Sequence, residues 1–172
     1  MQSNREAVAD DETSQSESAA RIVKTPTLGM DLDTYVRNFN TMGGRLSTPL
    51  QAHVGSLEKG RDKDVVQIRV DDLSNIVLAL ESGTQEVSDV TFIGVGDGST
   101  ESGAHILLGS IAALQAGVGE SEHDAVMAAI KRMILNAKYD GGTVHETVGN
   151  KKLFMSMSSV TGLMVGIEPA RQ

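Results

Sequence analysis

The polar and apolar positions of this 172-residue chain fall into blocks of different period. Leu32, Tyr35, Val36, Phe39 and Met42 stand at i, i+3, i+4, i+7 and i+10, the spacing that gives an α-helix one apolar face. Asp31 is placed to cap its start and Gly43-Gly44 to end it. Leu46 to Leu57 follows neither period, although Pro49 suits the first position of a short helical turn. Residues 58–64 read as a charged loop.

Three strand-like runs come next. Val66, Ile68 and Val70 alternate with Gln67 and Arg69, the pattern of a half-buried strand. Residues 75–81 are apolar on both parities, which predicts cover on both faces. The third run, 87–96, sets Val90 and Phe92 on one face against Thr91, Ile93 and Val95 on the other. Short polar gaps between the runs predict antiparallel hairpins.

The period then lengthens. Ala104, Leu107, Leu108, Ile111, Leu114 and Val118 form a helical stripe broken at Gly117 and Gly119. Ser121 followed by Asp124 resembles a capping box. Val126, Met127, Ile130, Met133, Ile134 and Ala137 continue as a second helix. Lys131, Arg132 and Lys138 complement its dipole, and Gly141-Gly142 ends it. Residues 143–148 and 152–158 then flank Gly149-Asn150, a two-residue hairpin signal, and 162–167 reads as one further strand. The expected fold is α+β. An antiparallel sheet of about five to six strands packs on two or three helices in the order α-βββ-αα-ββ(β).

Residues 1–27 stand outside these patterns. The stretch Asp10-Asp11-Glu12-Thr13-Ser14-Gln15-Ser16-Glu17-Ser18 has no apolar period and is rich in serine and acid, so a disordered tail is expected before a single domain over 28–172. Such a tail suits a flexible lipoprotein-like tether, with Met1 in place of the anchoring residue. A frayed cytosolic terminus explains it equally well.

Composition narrows the chemistry. Aromatic residues are 3% of the chain, so the core must be aliphatic, and stacking platforms for bases or sugars are scarce. There is no cysteine, which removes disulfides, thiolate catalysis and cysteine metal sites. No run is long and apolar enough to cross a bilayer as a helix. The net charge is −8, and its distribution is uneven. Between Val70 and Ile130 there is no lysine or arginine but there are ten carboxylates. A segment of that kind disfavours nucleic acid, phosphate esters and anionic lipid, and favours a partner with a basic surface, a cation, or simply solubility.

Several local arrangements invite chemistry. The glycine-rich run from Gly94 to Gly103 joins a strand to a helix, where backbone N–H groups can cradle phosphate. It lacks the P-loop lysine, and Asp97 and Glu101 oppose an anion. Asp97 and Glu101 do not have the spacing of a calcium loop. His53, His105, His123 and His145 show no metal-ligand spacing. Ser99, Ser102, Ser110 and Ser156 lie outside any G-x-S-x-G, leaving His145 as a base without sequence support. Met127, Met133, Met155, Met157 and Met164 fall on apolar phases and read as core.

The expected function is therefore a small acidic, non-enzymatic binding protein, periplasmic or tethered outside the cytoplasm by its tail. The runner-up is a cytosolic acidic chaperone or inhibitor of a basic protein. A third reading is a hydrolase or phosphate-ligand enzyme built on the 94–103 loop. The residues expected to meet a protein partner are Asp97, Glu101, Glu120, Glu122 and Asp124. No catalytic residue, cofactor or metal ligand is assigned.

Overall fold

The computed structural model describes residues 25–47 and 49–170, so the expected tail lies outside the described residues except for its last three positions. Helix α1 (Leu32–Arg45) precedes four strands: β1 (His53–Glu58), β2 (Lys63–Arg69), β3 (Ser74–Glu81) and β4 (Val87–Gly94). Helices α2 (Thr100–Ala116) and α3 (His123–Asn136) follow, then β5 (Thr143–Val148), β6 (Lys151–Ser158) and β7 (Gly162–Pro169). The strands form one antiparallel sheet in the order β1-β2-β3-β4-β7-β6-β5. The fold is α+β, with seven strands rather than five to six.

Alternation sorts the sheet into two faces. Val66 and Ile68 of β2, Ile76, Leu78 and Leu80 of β3, and Val90 and Phe92 of β4 are buried. Val165 and Ile167 of β7 and Leu153 and Met155 of β6 continue the same face. The helices cover this side. Helix α2 runs over β4 and β7, α3 over β5 and β6, and α1 packs on α2. The α1–α2 contact is close because α2 offers alanines. Tyr35 of α1 donates from its hydroxyl to the Ala113 carbonyl at 3.1 Å, and Asn38 donates to that of Ala116 at 3.3 Å. Residues of opposite parity, such as Val77, Ile93, Met164 and Phe154, lie on the helix-free face and are half-buried. Residues 75–81 are thus fully covered on one face only.

Local expectations were met in part. Asp31 caps α1 by accepting the Thr34 N–H at 2.8 Å. Gly43-Gly44 does not end that helix. A Cβ on Gly43 would come within 2.7 Å of the Leu50 carbonyl oxygen, so the residue serves the returning chain's close approach. The turn is made at Leu46 and Ser47, with Ser47 at φ +54°. Pro49 starts no helical turn, and the ambiguous stretch after it contains β1. Ser121 does not cap α3. A 3-10 turn at Glu120–Glu122 intervenes, and the Glu122 carboxylate accepts the Gly119 N–H at 3.3 Å. Helix α3 stops at Asn136, ahead of Lys138 and Gly141-Gly142, because Ala137 is already extended. The Gly149-Asn150 hairpin forms as expected, with Val148 opposite Lys151.

Candidate binding site at the glycine loop

The run from Gly94 to Gly103 separates two clefts on the helix side of the sheet. Its first residue is fixed by packing: a Cβ on Gly94 would meet Ile106 of α2 at 2.4 Å, so only glycine lets the strand end under the helix. Ser99 then caps α2, its hydroxyl accepting the Ser102 N–H at 3.1 Å, while its carbonyl accepts the Gly103 N–H at 3.1 Å. The Asp97 carboxylate accepts the Ser99 N–H at 2.9 Å. Hydrogen bonding by the Ser102 hydroxyl, then by Ser99, holds the Asp97 carboxyl at about 2, below its ordinary 3.8. The Ser102 hydroxyl points to the Ser99 carbonyl at 3.0 Å, so the Ser99 N–H is the firmer of Asp97's contacts. Several N–H groups at this helix start are therefore already occupied, and the nearest charge is negative.

The cleft on one side has a volume of about 560 Å³ and is lined by Pro49, Leu73, Asp97, Glu101, His105 and Leu108 among others. One lining residue, His105, approaches a carboxylate that spacing along the chain did not reveal. Asp71 accepts the Leu73 N–H at 2.8 Å and the buried Ser74 hydroxyl at 2.7 Å through Oδ1. Its Oδ2 lies 3.3 Å from His105 Nδ1. Among the described residues no hydroxyl hydrogen-bonds to His105, and no three or more His, Asp or Glu side chains converge as metal ligands. His145 lies on the edge strand β5, paired with Phe154, away from this loop.

The cleft on the other side is an apolar groove of about 420 Å³. Ile106 and Leu107 of α2, Ile134 of α3, Tyr139, Met157 and Leu163 line it, with Met155 at its floor. Its walls are tied together. Asp140 donates its N–H to the Met157 carbonyl at 2.9 Å and accepts the Ser159 N–H at 2.9 Å. Two of the large apolar side chains exposed in the described residues line the groove: Ile134 of α3 and Tyr139 just after that helix. Tyr139 is 67% exposed, a value that core packing does not explain. Met155 is core, as the sequence implied, whereas Met157 reaches the groove.

The five acids expected to meet a partner do not form one patch. Asp97 and Glu101 are exposed beside the glycine loop, whereas Glu120, Glu122 and Asp124 lie beyond the far end of α2. Its 17 residues span roughly 25 Å. Glu120 pairs with Arg45 at 2.6 Å and Glu122 with Lys151 at 2.8 Å. These cations hold both carboxyls below their ordinary value. Elsewhere in the acidic segment, Asp89 pairs with Lys63 at 2.5 Å and Asp72 with Arg69. Cations from outside residues 70–130 thus fold onto that segment and neutralise part of it. Asp97, Glu101 and Asp124 carry no ion pair among the described residues. No protein-family model, curated protein or solved structure matches this chain.

Proposed function

We propose that this chain is a non-enzymatic binding protein whose groove receives a bulky apolar side chain from a basic segment of a protein partner. The observation that carries the reading is the apolar groove itself, with the exposed Ile134 and Tyr139 in its lining. Contiguous exposed apolar surface rimmed by polar groups marks interaction sites. The basic character of the partner rests on the net charge of −8, with Asp97 and Glu101 lining the neighbouring cleft across the loop. Asp97, with its carboxyl at about 2, is ionised throughout the physiological range.

An array of short peptides varying independently in apolar bulk and lysine or arginine content tests this. Retained peptides should combine both features, and Ile134→Glu or Met157→Glu should remove retention. Retention that ignores peptide charge, or survives both substitutions in folded protein, would overturn the reading.

The Asp71–His105 pair favours a second reading, an acid–base enzyme working in the cleft that His105 lines. The Asp71 carboxylate lies beside Nδ1 without accepting a hydrogen bond from it, which leaves Nε2 for proton transfer. Turnover of generic esters or phosphoesters that disappears in His105→Ala would support this enzyme over the binding protein.

A further inference from the structure

We propose that this chain forms a two-fold dimer in which β1 pairs antiparallel with β1 of a second copy, joining two seven-stranded sheets into one. The two edges of the sheet differ. Strand β5 is backed by α3, and Arg132 of that helix pairs with Glu146 at 2.7 Å. Among the described residues strand β1 has β2 as its only substantial neighbour, and all six of its residues are exposed. Among the described residues no strand pairs with its outer edge, which leaves those backbone groups available to another strand.

The sequence of β1, His-Val-Gly-Ser-Leu-Glu, is complementary to itself when reversed. With the two-fold axis through the Gly55–Ser56 bond, His53 faces Glu58 of the partner subunit, and Val54 faces Leu57 of the partner subunit. Each pair occurs twice. A bulge makes the faces agree. Val54 pairs with Ile68 and Leu57 with Val66, so two β1 residues, Gly55 and Ser56, stand opposite Gln67 alone. A Cβ on Gly55 would meet the Gln67 carbonyl oxygen at 2.8 Å, which suits glycine to this position. The extra residue sets Val54 and Leu57 on the helix side together, although their numbers differ in parity. It likewise sets His53 and Glu58, opposite Arg69 and Val65, together on the helix-free side. Val54 and Leu57 are 49% and 42% exposed in a single copy. The dimer would cover both and set each His53 imidazole beside a Glu58 carboxylate on the other face.

Bulges can also guard an edge against pairing, and the experiment separates the two roles. Sedimentation velocity from low micromolar to hundreds of micromolar protein should show a reversible monomer–dimer equilibrium. His53→Glu places acid opposite Glu58, and Glu58→Lys places lysine opposite His53, so each variant alone should dimerise at least tenfold more weakly. Both substitutions are on exposed positions, and circular dichroism checks that the fold is kept. Mixing the two variants should restore association as a heterodimer, because each inverted charge then meets its opposite. A protein monomeric at every concentration would overturn the proposal. So would dimerisation unaffected by either substitution, or a mixture no more associated than its components.

Discussion

Phe39→Ala removes a ring with no exposure, held on the face of α1 that meets α2 beside Tyr35 and Met42. Truncating a fully buried phenylalanine to alanine costs about 3–5 kcal/mol, combining lost transfer free energy with the cavity left behind. Alanine's better helix propensity returns no more than about 0.7 kcal/mol, too little to change the sign. For a chain of this length each kcal/mol lowers the melting temperature by about 2–4 °C, so a fall of roughly 6–20 °C is expected. Urea denaturation should show a lower midpoint with an unchanged slope, since the surface exposed on unfolding barely alters. Phe154→Ala, on the half-buried helix-free face, should cost less than half as much. Tyr35→Phe, which loses one hydrogen bond to the Ala113 carbonyl, should cost about 1 kcal/mol. A loss below about 1 kcal/mol for Phe39→Ala would refute the packing of α1 on α2 described above.

Asp64 is buried where the β1–β2 loop meets the β3–β4 turn, accepting from Lys59 at 2.7 Å, Gln85 at 2.8 Å, Ser82 at 3.1 Å and the Gly60 N–H at 3.3 Å. The Lys59 and Gln85 contacts hold its carboxyl at about 2 against an ordinary 3.8. Its stabilising contribution is complete above pH 3.8 and is lost as pH falls from there through about 2. Asp64→Asn should lower the melting temperature at neutral pH and flatten the decline of stability in that acid window; an unchanged acid profile would contradict the assignment. ATP, GTP and inorganic phosphate should produce no saturable amide shifts over 96–103, because Ser99 and Asp97 occupy N–H groups there and the local charge is negative. Sub-millimolar saturation centred on the loop would reverse that conclusion.

The legible parts of the fold were those in which one local period ran uninterrupted. The stripe from Leu32 to Met42, the alternation of 66–70 and the Gly149-Asn150 hairpin each carry their signal within a few residues. Strand β1 was hidden because its bulge puts Val54 and Leu57 on one face at a spacing of three, which matches neither strand alternation nor a sustained helical stripe. Gly43-Gly44 misled because its role is a contact with Leu50 across a turn, and a glycine admitting a neighbour looks in sequence like one ending a helix. The candidate site was legible only as the glycine loop with Asp97 and Glu101. The apolar groove draws on α2, α3, β6 and β7, and the Asp71–His105 pair joins residues far apart in the chain, so neither leaves a local pattern. The expected acidic face was overstated for a related reason: Arg45, Lys63 and Lys151 reach it only after folding.

The groove itself can be addressed by methyl NMR on the full chain titrated with a short peptide carrying one leucine or phenylalanine between lysines. Binding in the groove should shift the methyls of Ile106, Leu107, Ile134, Met157 and Leu163 together and saturably, with the apparent affinity falling as salt rises. Shifts confined to Val65, Val77 and Ile93 on the helix-free face, or no saturable shift with any such peptide, would contradict the account.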